Sequence, residues 1–219
     1  MKKEKSEDAY LLAIDNGTQS VRALIFDLDG QLIAKSKVHI EPYYSVNPGW
    51  AEQDADYLWN SLCKACQELW TQIDFPKSKI RAVALTTQRA PVINLDREGK
   101  PLRPAIIWLD QRRTEPHELP SMPLHWDVLF KALGEHDTMR YFRSQAECNW
   151  IKTNQPEIWD KTYKTLLLSG YHTYKLTGRY VDSVASQVGY QPFDFKRFDW
   201  CKSYDWKWQA LPTQPRMLP

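Results

Sequence analysis

The stretch that decides the fold is Tyr10-Leu-Leu-Ala-Ile-Asp-Asn-Gly-Thr-Gln-Ser-Val-Arg-Ala-Leu-Ile-Phe-Asp-Leu-Asp-Gly30. Two short apolar runs, residues 10–14 and 21–26, flank a polar turn, and short apolar runs of this kind are typical of buried strands. Asn-Gly favours a tight connection between antiparallel strands. Asp29-Gly30 is a second turn signal, after which Leu32–His39 reads as a third strand. The stretch therefore predicts three consecutive antiparallel strands.

The first turn gathers groups that suit phosphate and Mg²⁺. It holds the carboxylate of Asp15, the bare backbone of Gly17, the hydroxyls of Thr18 and Ser20, and the guanidinium of Arg22. Backbone N–H groups in such turns can cradle phosphate oxygens, and a carboxylate at a strand end suits Mg²⁺ or its waters. An ordinary polar hairpin turn explains the same residues, and local chemistry alone leaves both interpretations open.

Downstream, the pattern changes from strand to helix and back. Residues 55–73 carry apolar side chains at helical spacing, with Asp54 as a candidate N-cap, and Ile80–Thr86 is again a short apolar run. Strand, helix and strand in this order predict a crossover to a parallel strand. Further strands are expected near 92–95, 105–108 and 165–168, and helices over 126–133, 139–154 and 169–176. The whole predicts an α/β fold with a mixed sheet.

Two polar segments follow predicted strand ends. These are Thr86-Thr-Gln-Arg-Ala-Pro91 and Leu109-Asp-Gln-Arg-Arg113. In open α/β sheets, ligands bind beyond the carboxyl ends of the strands. Taken alone, Arg89 would be a solvated surface charge and Trp108 a core residue.

Several motifs resemble the FGGY carbohydrate kinases, the family of glycerol kinase and xylulokinase. Ala13-Ile-Asp-Asn-Gly-Thr-Gln-Ser-Val-Arg22 resembles the first phosphate loop of that family. Pro48-Gly-Trp-Ala-Glu-Gln-Asp-Ala55 and Ala105-Ile-Ile-Trp-Leu-Asp-Gln-Arg-Arg113 resemble two further family segments, in the same order. The resemblance runs from about Tyr10 to the end of the chain. It implies an actin-like/ribonuclease H-like domain with a leading antiparallel three-strand hairpin and crossover helices.

The resemblance also implies ATP and Mg²⁺ as cofactors and a sugar or polyol as acceptor. Asp15 would then be the metal site and would organise metal and water. The residues implied to bind the cofactor are Asp15, Gly17, Thr18, Gln19, Ser20 and Arg22. The residues implied to bind the substrate are Gln88, Arg89, Trp108 and Asp110. Arg89 would bind hydroxyls, Trp108 would offer an apolar wall, and Asp110 would accept a hydrogen bond from a hydroxyl.

One position departs from the family pattern. Glycerol kinases place Glu after the substrate-binding Arg, whereas this chain has Ala90. A buried glycerol hydroxyl left without an acceptor would cost about 1–3 kcal/mol. Xylulokinases use a different segment at this place, so the resemblance leaves the acceptor sugar or polyol open.

The resemblance implies a domain layout. We expect residues 1–8 to be a disordered lead-in and residues 9–219 to be the N-terminal, sugar-binding lobe, incomplete at its C-terminal end. The second lobe and the catalytic base, an Asp, would lie outside this chain, so we expect the chain alone to be inactive. Its expected partners are the sugar or polyol substrate, the missing C-terminal lobe of the same protein, and a second copy in a homodimer.

Composition excludes several classes of function. A formal charge of +2 and the lack of a basic stretch speak against nucleic acid as a partner. No run of 18 apolar residues and no signal peptide is visible, so no membrane partner is expected. Four cysteines in 219 residues do not make a disulfide scaffold, which favours the cytoplasm. Cys63-Lys-Ala-Cys66 is interpreted as helix packing, and His117, His125 and His136 as ordinary polar residues.

Two other functions stay open at this point. The first is a non-catalytic actin-like or sugar-sensing module that keeps the loop without the chemistry. The second is a ribonuclease H-like nuclease with Asp15 and Asp110 as metal ligands, although such enzymes need several clustered carboxylates. A near-neutral chain without a basic groove argues against the nuclease.

Overall fold

The computed structural model describes residues 9–119, 121–188, 191–202, 205–206 and 216–218. The lead-in predicted for residues 1–8 lies outside the described residues. The chain divides into two compact units. Unit 1 consists of Met1–Pro42 and Asp56–Gln88, and unit 2 of Tyr43–Ala55 and Arg89–Pro219.

The strands and helices are named here in chain order. The strands are β1 (Tyr10–Asn16), β2 (Ser20–Asp27), β3 (Leu32–His39), β4 (Glu52–Gln53), β5 (Ile80–Thr87), β6 (Val92–Leu95), β7 (Ala105–Ile106), β8 (Lys164–Leu167), β9 (Val181–Ser183), β10 (Phe193–Asp194), β11 (Asp199–Trp200) and β12 (Arg216–Leu218). The α-helices are α1 (Ala55–Trp70), α2 (Leu124–Ala132), α3 (His136–Ser144), α4 (Glu147–Asn154), α5 (Pro156–Lys161) and α6 (Leu168–Thr177).

Unit 1 is built on a four-stranded mixed sheet in the order β3-β2-β1-β5. β1, β2 and β3 are antiparallel neighbours, and β5 joins β1 in parallel. Alternate residues of β2, namely Val21, Ala23 and Ile25, are fully buried, as a strand with one face on a core requires. The leading hairpin and the parallel crossover predicted from the sequence are confirmed.

Helix α1 belongs almost wholly to unit 1 and buries one stripe. Leu58, Leu62, Ala65 and Leu69 lie three or four residues apart and are almost inaccessible to solvent. The helix ends at Trp70, three residues before the predicted end. In the turn between β2 and β3, Gly30 has a φ of +82°, a conformation that glycine adopts without steric cost.

Unit 2 contains an antiparallel sheet in the order β4-β7-β6-β8. Val92 at the start of β6 pairs with Ile106 at the end of β7 and with Leu167 at the end of β8. These three residues form one apolar cluster with Cys148, Trp150 and Ile151 of α4. The start of β6 and the ends of β7 and β8 therefore lie at one end of the sheet.

The helix predicted over 139–154 is wrong in one respect, because it is two helices. The chain leaves helical geometry at Ala146, which has φ −74° and ψ 115°. The side-chain amide of Asn149 donates to the carbonyl of Arg143 at 2.9 Å, which satisfies a carbonyl at the end of α3. A polar side chain thus replaces the backbone bond that would have continued the helix.

The last helix follows its sequence signals closely. α6 begins one residue before Ser169 and ends at Thr177, where Gly178 caps it with a φ of +71°, the left-handed conformation that favours glycine after a helix. β9 pairs in parallel with β12, and β10 forms a short hairpin with β11. Among the described residues, no helix has the length and apolar character needed to cross a membrane.

Candidate functional site

The turn between β1 and β2 presents an ion pair to solvent. β1 runs through Asn16, so Asp15 is a strand residue and not a turn residue, directly opposite Arg22 of β2. Arg22 Nη1 lies 2.8 Å from Asp15 Oδ2, with the two side chains 49% and 36% exposed. The pair uses one oxygen of a carboxylate that solvent and ligands can reach.

Backbone and side-chain bonds fix the turn itself. Asn16 is fully buried, and its amide donates to the carbonyl of Gly17 at 3.1 Å. The N–H of Gly17 donates to the carbonyl of Ser20, and the N–H of Ile40 to the carbonyl of Gln19, each at 3.0 Å. Residues 17–20 therefore have a defined shape without any ligand.

Gln88 joins this turn. Its N–H donates to the carbonyl of Asn16 at 2.8 Å, and its side-chain oxygen accepts from the hydroxyl of Thr18 at 3.3 Å. Gln88 was grouped with Arg89 as a substrate-binding residue. The structure places Gln88 beside the turn of residues 17–20 in unit 1, whereas Arg89 belongs to unit 2.

Gly17 is not required by the fold. Gly17 is not among the glycines with a positive φ. A Cβ added at Gly17 would meet only the carbonyl oxygen of Ser20, at 3.5 Å, which is an ordinary contact. Any need for glycine at this position must come from a molecule that approaches the turn.

In unit 2, Arg89 and Trp108 emerge at one end of the antiparallel sheet. Arg89 precedes β6 by three residues and Trp108 follows β7 by two, and the start of β6 pairs with the end of β7. Arg89 is exposed, and the indole of Trp108 is 55% exposed. Trp108 is therefore not the core residue that its large apolar side chain alone would suggest.

The backbone next to Arg89 is strained. Ala90 is buried and has a φ of +76°, a left-handed conformation that costs an L-residue with a Cβ about 1–2 kcal/mol. Strained non-glycine residues cluster at functional sites, where the surrounding structure over-determines them. This strain marks the position at which the chain departs from the glycerol kinase pattern.

Asp110 is buried and makes four hydrogen bonds within the protein. Its Oδ1 accepts from the N–H of Arg112 at 2.8 Å and from Arg112 Nε at 2.9 Å. Its Oδ2 accepts from Arg112 Nη2 and from the N–H of Ala51, both at 2.7 Å. A carboxylate offers about four acceptor positions, so these bonds use them all. The expected bond from a substrate hydroxyl conflicts with this arrangement, because no acceptor position is left for it.

Asp110 belongs to a buried charge network that sequence reasoning missed. Arg112 Nη1 lies 2.9 Å from Glu52 Oε1, and Arg103 Nη2 contacts the same Glu52 oxygen. Burial lowers the pKa of Arg103 to about 10, while Glu52 opposes this shift. Two carboxylates and two guanidiniums thus balance each other in a nearly solvent-free site.

Two indoles enclose the centre of that network. The guanidinium carbon of Arg112 lies 4.1 Å from the ring centroid of Trp50 and 4.6 Å from that of Trp150. Arginine stacks on aromatic faces in this way because its guanidinium is planar and weakly hydrated. The sequence shows only Asp110 two residues before Arg112 and Glu52 two residues after Trp50. Neither pattern indicates which residues pair in the network.

The remaining candidate groups are the cysteines and the side chains that could bind a metal ion. Burial raises the pKa of the Cys66 thiol to about 11, so it stays protonated at neutral pH and fits the predicted packing role. Within the described part of the chain, no group of three or more His, Cys, Asp or Glu side chains is placed to hold a metal ion. Mg²⁺ often takes only one or two carboxylates together with phosphate oxygens and waters, and Asp15 fits that requirement.

Comparison with known proteins agrees with this geometry. Residues 10–219 match the N-terminal domain of the FGGY family of carbohydrate kinases. The chain belongs to the FGGY family. A glycerol kinase of Thermococcus gammatolerans is 30% identical over 197 residues, which are 88% of this chain and 39% of that protein. The chain thus spans about two fifths of the length of this relative.

Solved structures show the same fold. A xylulose kinase from Rhodospirillum rubrum superimposes with a TM-score of 0.75 at 20% identity, over 96% of this chain and 43% of its own. A gluconate kinase from Lactobacillus acidophilus gives a TM-score of 0.74 at 16% identity, over 97% of this chain and 42% of its own. The fold is therefore the actin-like/ribonuclease H-like fold of the FGGY kinases. Membership of this family removes the nuclease alternative.

Proposed function

We propose that this chain is the part of an ATP-dependent sugar or polyol kinase that holds the nucleotide phosphates and the acceptor. The observation that carries the proposal is the turn of residues 17–20, which is fixed by its own hydrogen bonds and leaves room at Gly17. It stands beside the exposed Asp15–Arg22 pair in a chain of the FGGY family. A shaped polar turn next to an accessible carboxylate suits phosphate and Mg²⁺.

The roles in unit 1 follow from these contacts. The backbone of Gly17 and the polar groups of Thr18, Gln19 and Ser20 would hold phosphate oxygens. Asp15 would orient Mg²⁺ and its waters, and Arg22 would offset negative charge nearby. Bound Mg²⁺ supplies neutralisation of phosphate charge. Gln88 would fix the turn through its bonds to Asn16 and Thr18.

The roles in unit 2 are divided between contact and support. Arg89 would donate to hydroxyls of the acceptor, and the exposed indole of Trp108 would cover a C–H face of it. Asp110 would act indirectly, because its four acceptor positions hold Arg112 and the backbone of Ala51. This replaces the direct contact that the resemblance implied for Asp110.

The proposal extends to the whole protein. Phosphoryl transfer needs a base within reach of the acceptor hydroxyl, and we assign none in this chain. The proposed partners are the sugar or polyol and the remaining lobe of the same protein, with a homodimer as a further proposal. Use of ATP fits a cytoplasmic location.

Ligand-induced thermal stabilisation tests the acceptor roles. We expect one sugar or polyol to raise the melting temperature of the 219-residue chain, since a ligand at 100 times its dissociation constant adds about 2.7 kcal/mol of stability. Arg89→Ala and Trp108→Ala should abolish the shift, whereas Trp108→Phe should keep part of it by retaining an aromatic wall.

Arg179→Ala is the matched control for Arg89→Ala. Arg179 is likewise an exposed arginine of unit 2, outside the proposed site. Equal shifts in the Arg89→Ala and Arg179→Ala variants would contradict the acceptor assignment. A chain that binds a sugar but shows no Mg-ATP binding, alone or joined to its second lobe, would favour a sugar-sensing module over a kinase.

A further inference from the structure

Unit 2 contains an open cavity of about 310 Å³ that the proposed function does not use. Its walls come from the segment 116–122, from α2 and from α3. None of the residues assigned to the phosphates or the acceptor lines it. Small-molecule sites occupy about 300–1,000 Å³, so this cavity suits a compact ligand.

One face of α3 supplies half of the polar side chains that line the cavity. His136, Arg140 and Arg143 follow each other at steps of four and three residues, which places them on the same side of a helix. All three line the cavity, and His117 joins them from the segment before α2. Four basic side chains thus converge on one small space.

Among the described residues that line the cavity, Asp127 is the one carboxylate, and it already has partners. Its Oδ2 lies 2.7 Å from Lys131 Nζ and its Oδ1 lies 2.9 Å from His136 Nε2. The hydrogen bond from Lys131, followed by that from His136, lowers the pKa of this carboxyl. His136 also lies 3.5 Å from Asp137. The carboxylate of Asp127 therefore already has two partners, Lys131 and His136.

The two arginines bring like charges into the cavity. Arg140 Nη2 donates to the carbonyl of Pro116 at 2.6 Å, a neutral acceptor that holds the guanidinium in place without cancelling its charge. Arg143 is only 5% exposed. Burial and, secondly, the charge of Arg140 lower the pKa of Arg143. An anion in the cavity would be attracted by both guanidiniums.

We propose that this cavity is a second ligand site, and that it binds a small phosphate monoester. Guanidiniums present paired N–H donors that match the oxygens of a phosphate, and histidines add further donors. Pro116, Leu119 and Met122 supply an apolar side to the cavity, which suits the short carbon skeleton of an ester. The site goes beyond the nucleotide and acceptor sites and shares no residue with them.

Isothermal titration calorimetry on the 219-residue chain tests the proposal. The probes are glycerol 3-phosphate, inorganic phosphate and glycerol. We expect glycerol 3-phosphate to bind more tightly than inorganic phosphate, glycerol to give no heat at this site, and added salt to weaken binding. Arg140→Gln should weaken glycerol 3-phosphate at least tenfold, and Arg140→Lys should restore part of the affinity by keeping the charge.

Controls separate this cavity from the other sites. Arg179→Gln, a change of the same chemistry on the surface of unit 2, and Arg89→Ala at the acceptor position should leave the affinity unchanged. His117→Gln changes an exposed side chain with little risk to folding, and it should weaken binding less than Arg140→Gln. Equal affinity in wild type, Arg140→Gln and His117→Gln would overturn the proposal, as would the absence of binding at millimolar concentrations. Inorganic phosphate binding as tightly as the ester would overturn the assignment of an ester.

Discussion

Two aspartate–arginine pairs in this molecule have the same chemistry and opposite surroundings. In unit 1, Asp15 and Arg22 meet at 2.8 Å with both side chains open to solvent. In unit 2, Asp110 and Arg112 meet at 2.7 Å with both side chains almost completely buried. The distance alone would not tell them apart.

Burial decides what each pair can do. An exposed pair contributes about 0–1 kcal/mol to stability. Breaking it so that its groups can bind a ligand therefore costs little free energy. A buried pair costs several kcal/mol to break, because each charge left behind has lost its water. We infer that the exposed pair is available for binding and that the buried pair is part of the scaffold. The predictions below test this difference.

Arg112→Leu should have the largest effect. The change removes the cationic partner of Asp110, leaves Glu52 with Arg103 alone, and removes the cation between Trp50 and Trp150. We expect a loss of about 3–5 kcal/mol in the free energy of unfolding, measured by urea denaturation. Arg113→Leu is the matched control at an exposed neighbour, and we expect it to cost less than about 0.5 kcal/mol. A similar loss in both variants would show that the network does not carry this stability.

Asp182 provides a third case, a buried carboxylate with neutral partners. Its Oδ1 accepts from the N–H of Ser183 and its Oδ2 from the side chain of Gln187. Burial raises its pKa to about 6, and these hydrogen bonds only partly offset the shift. Because the folded pKa exceeds the unfolded value, the contribution of Asp182 is fully present below about pH 4 and is lost as the pH rises through 6.

Asp182→Asn should remove this pH dependence. The difference in unfolding free energy between variant and wild type should shift in favour of the variant by about 2 kcal/mol from pH 4 to pH 7. His172, whose pKa burial lowers to about 3, acts in the opposite direction and is present in both proteins, so it cancels in the difference. A difference that stays constant with pH would contradict the raised pKa.

The sequence predicted those parts that depend on local patterns. The strands β1 to β3, the parallel partner β5 and the helix α1 follow from apolar periodicity and from turn residues such as Gly30. The end of α6 follows from Gly178 for the same reason. Each of these signals lies within the element that it specifies.

The parts that could not be predicted depend on contacts between distant residues. Glu52 and Arg103 are 51 residues apart, and Ala51 and Asp110 are 59 apart. No periodicity links them, so the buried network around Asp110 could not be predicted even with the family resemblance in hand. The break between α3 and α4 has a similar cause, since it depends on one side-chain bond from Asn149 to Arg143.

The proposed acceptor site differs from both pairs, because a strained backbone at Ala90 and not a buried charge distinguishes it. Ala90→Gly should relieve the left-handed backbone, and we expect the free energy of unfolding to rise by up to about 1 kcal/mol after the entropy cost of glycine. Ala105→Gly, at a buried residue of β7 without positive φ, is the control and should lower stability by about 0.5–1 kcal/mol. If both changes destabilise equally, the backbone at Ala90 is not strained.

Asp15→Asn should have the smallest effect on stability and a clear effect on binding. The amide keeps the shape of the side chain and removes the ion pair with Arg22, which at this exposure should change the free energy of unfolding by at most about 1 kcal/mol. It also removes the negative charge proposed to orient Mg²⁺. We therefore expect Mg-dependent tightening of ATP binding, measured by calorimetry with and without Mg²⁺ on the chain joined to its second lobe, to be lost in the variant. Gly17→Ala is the companion test, since the fold accepts the methyl group but a phosphate at the turn would not. Large destabilisation by Asp15→Asn would make this pair a scaffold element like the pair in unit 2, and unchanged Mg-dependence would remove Asp15 from the metal site.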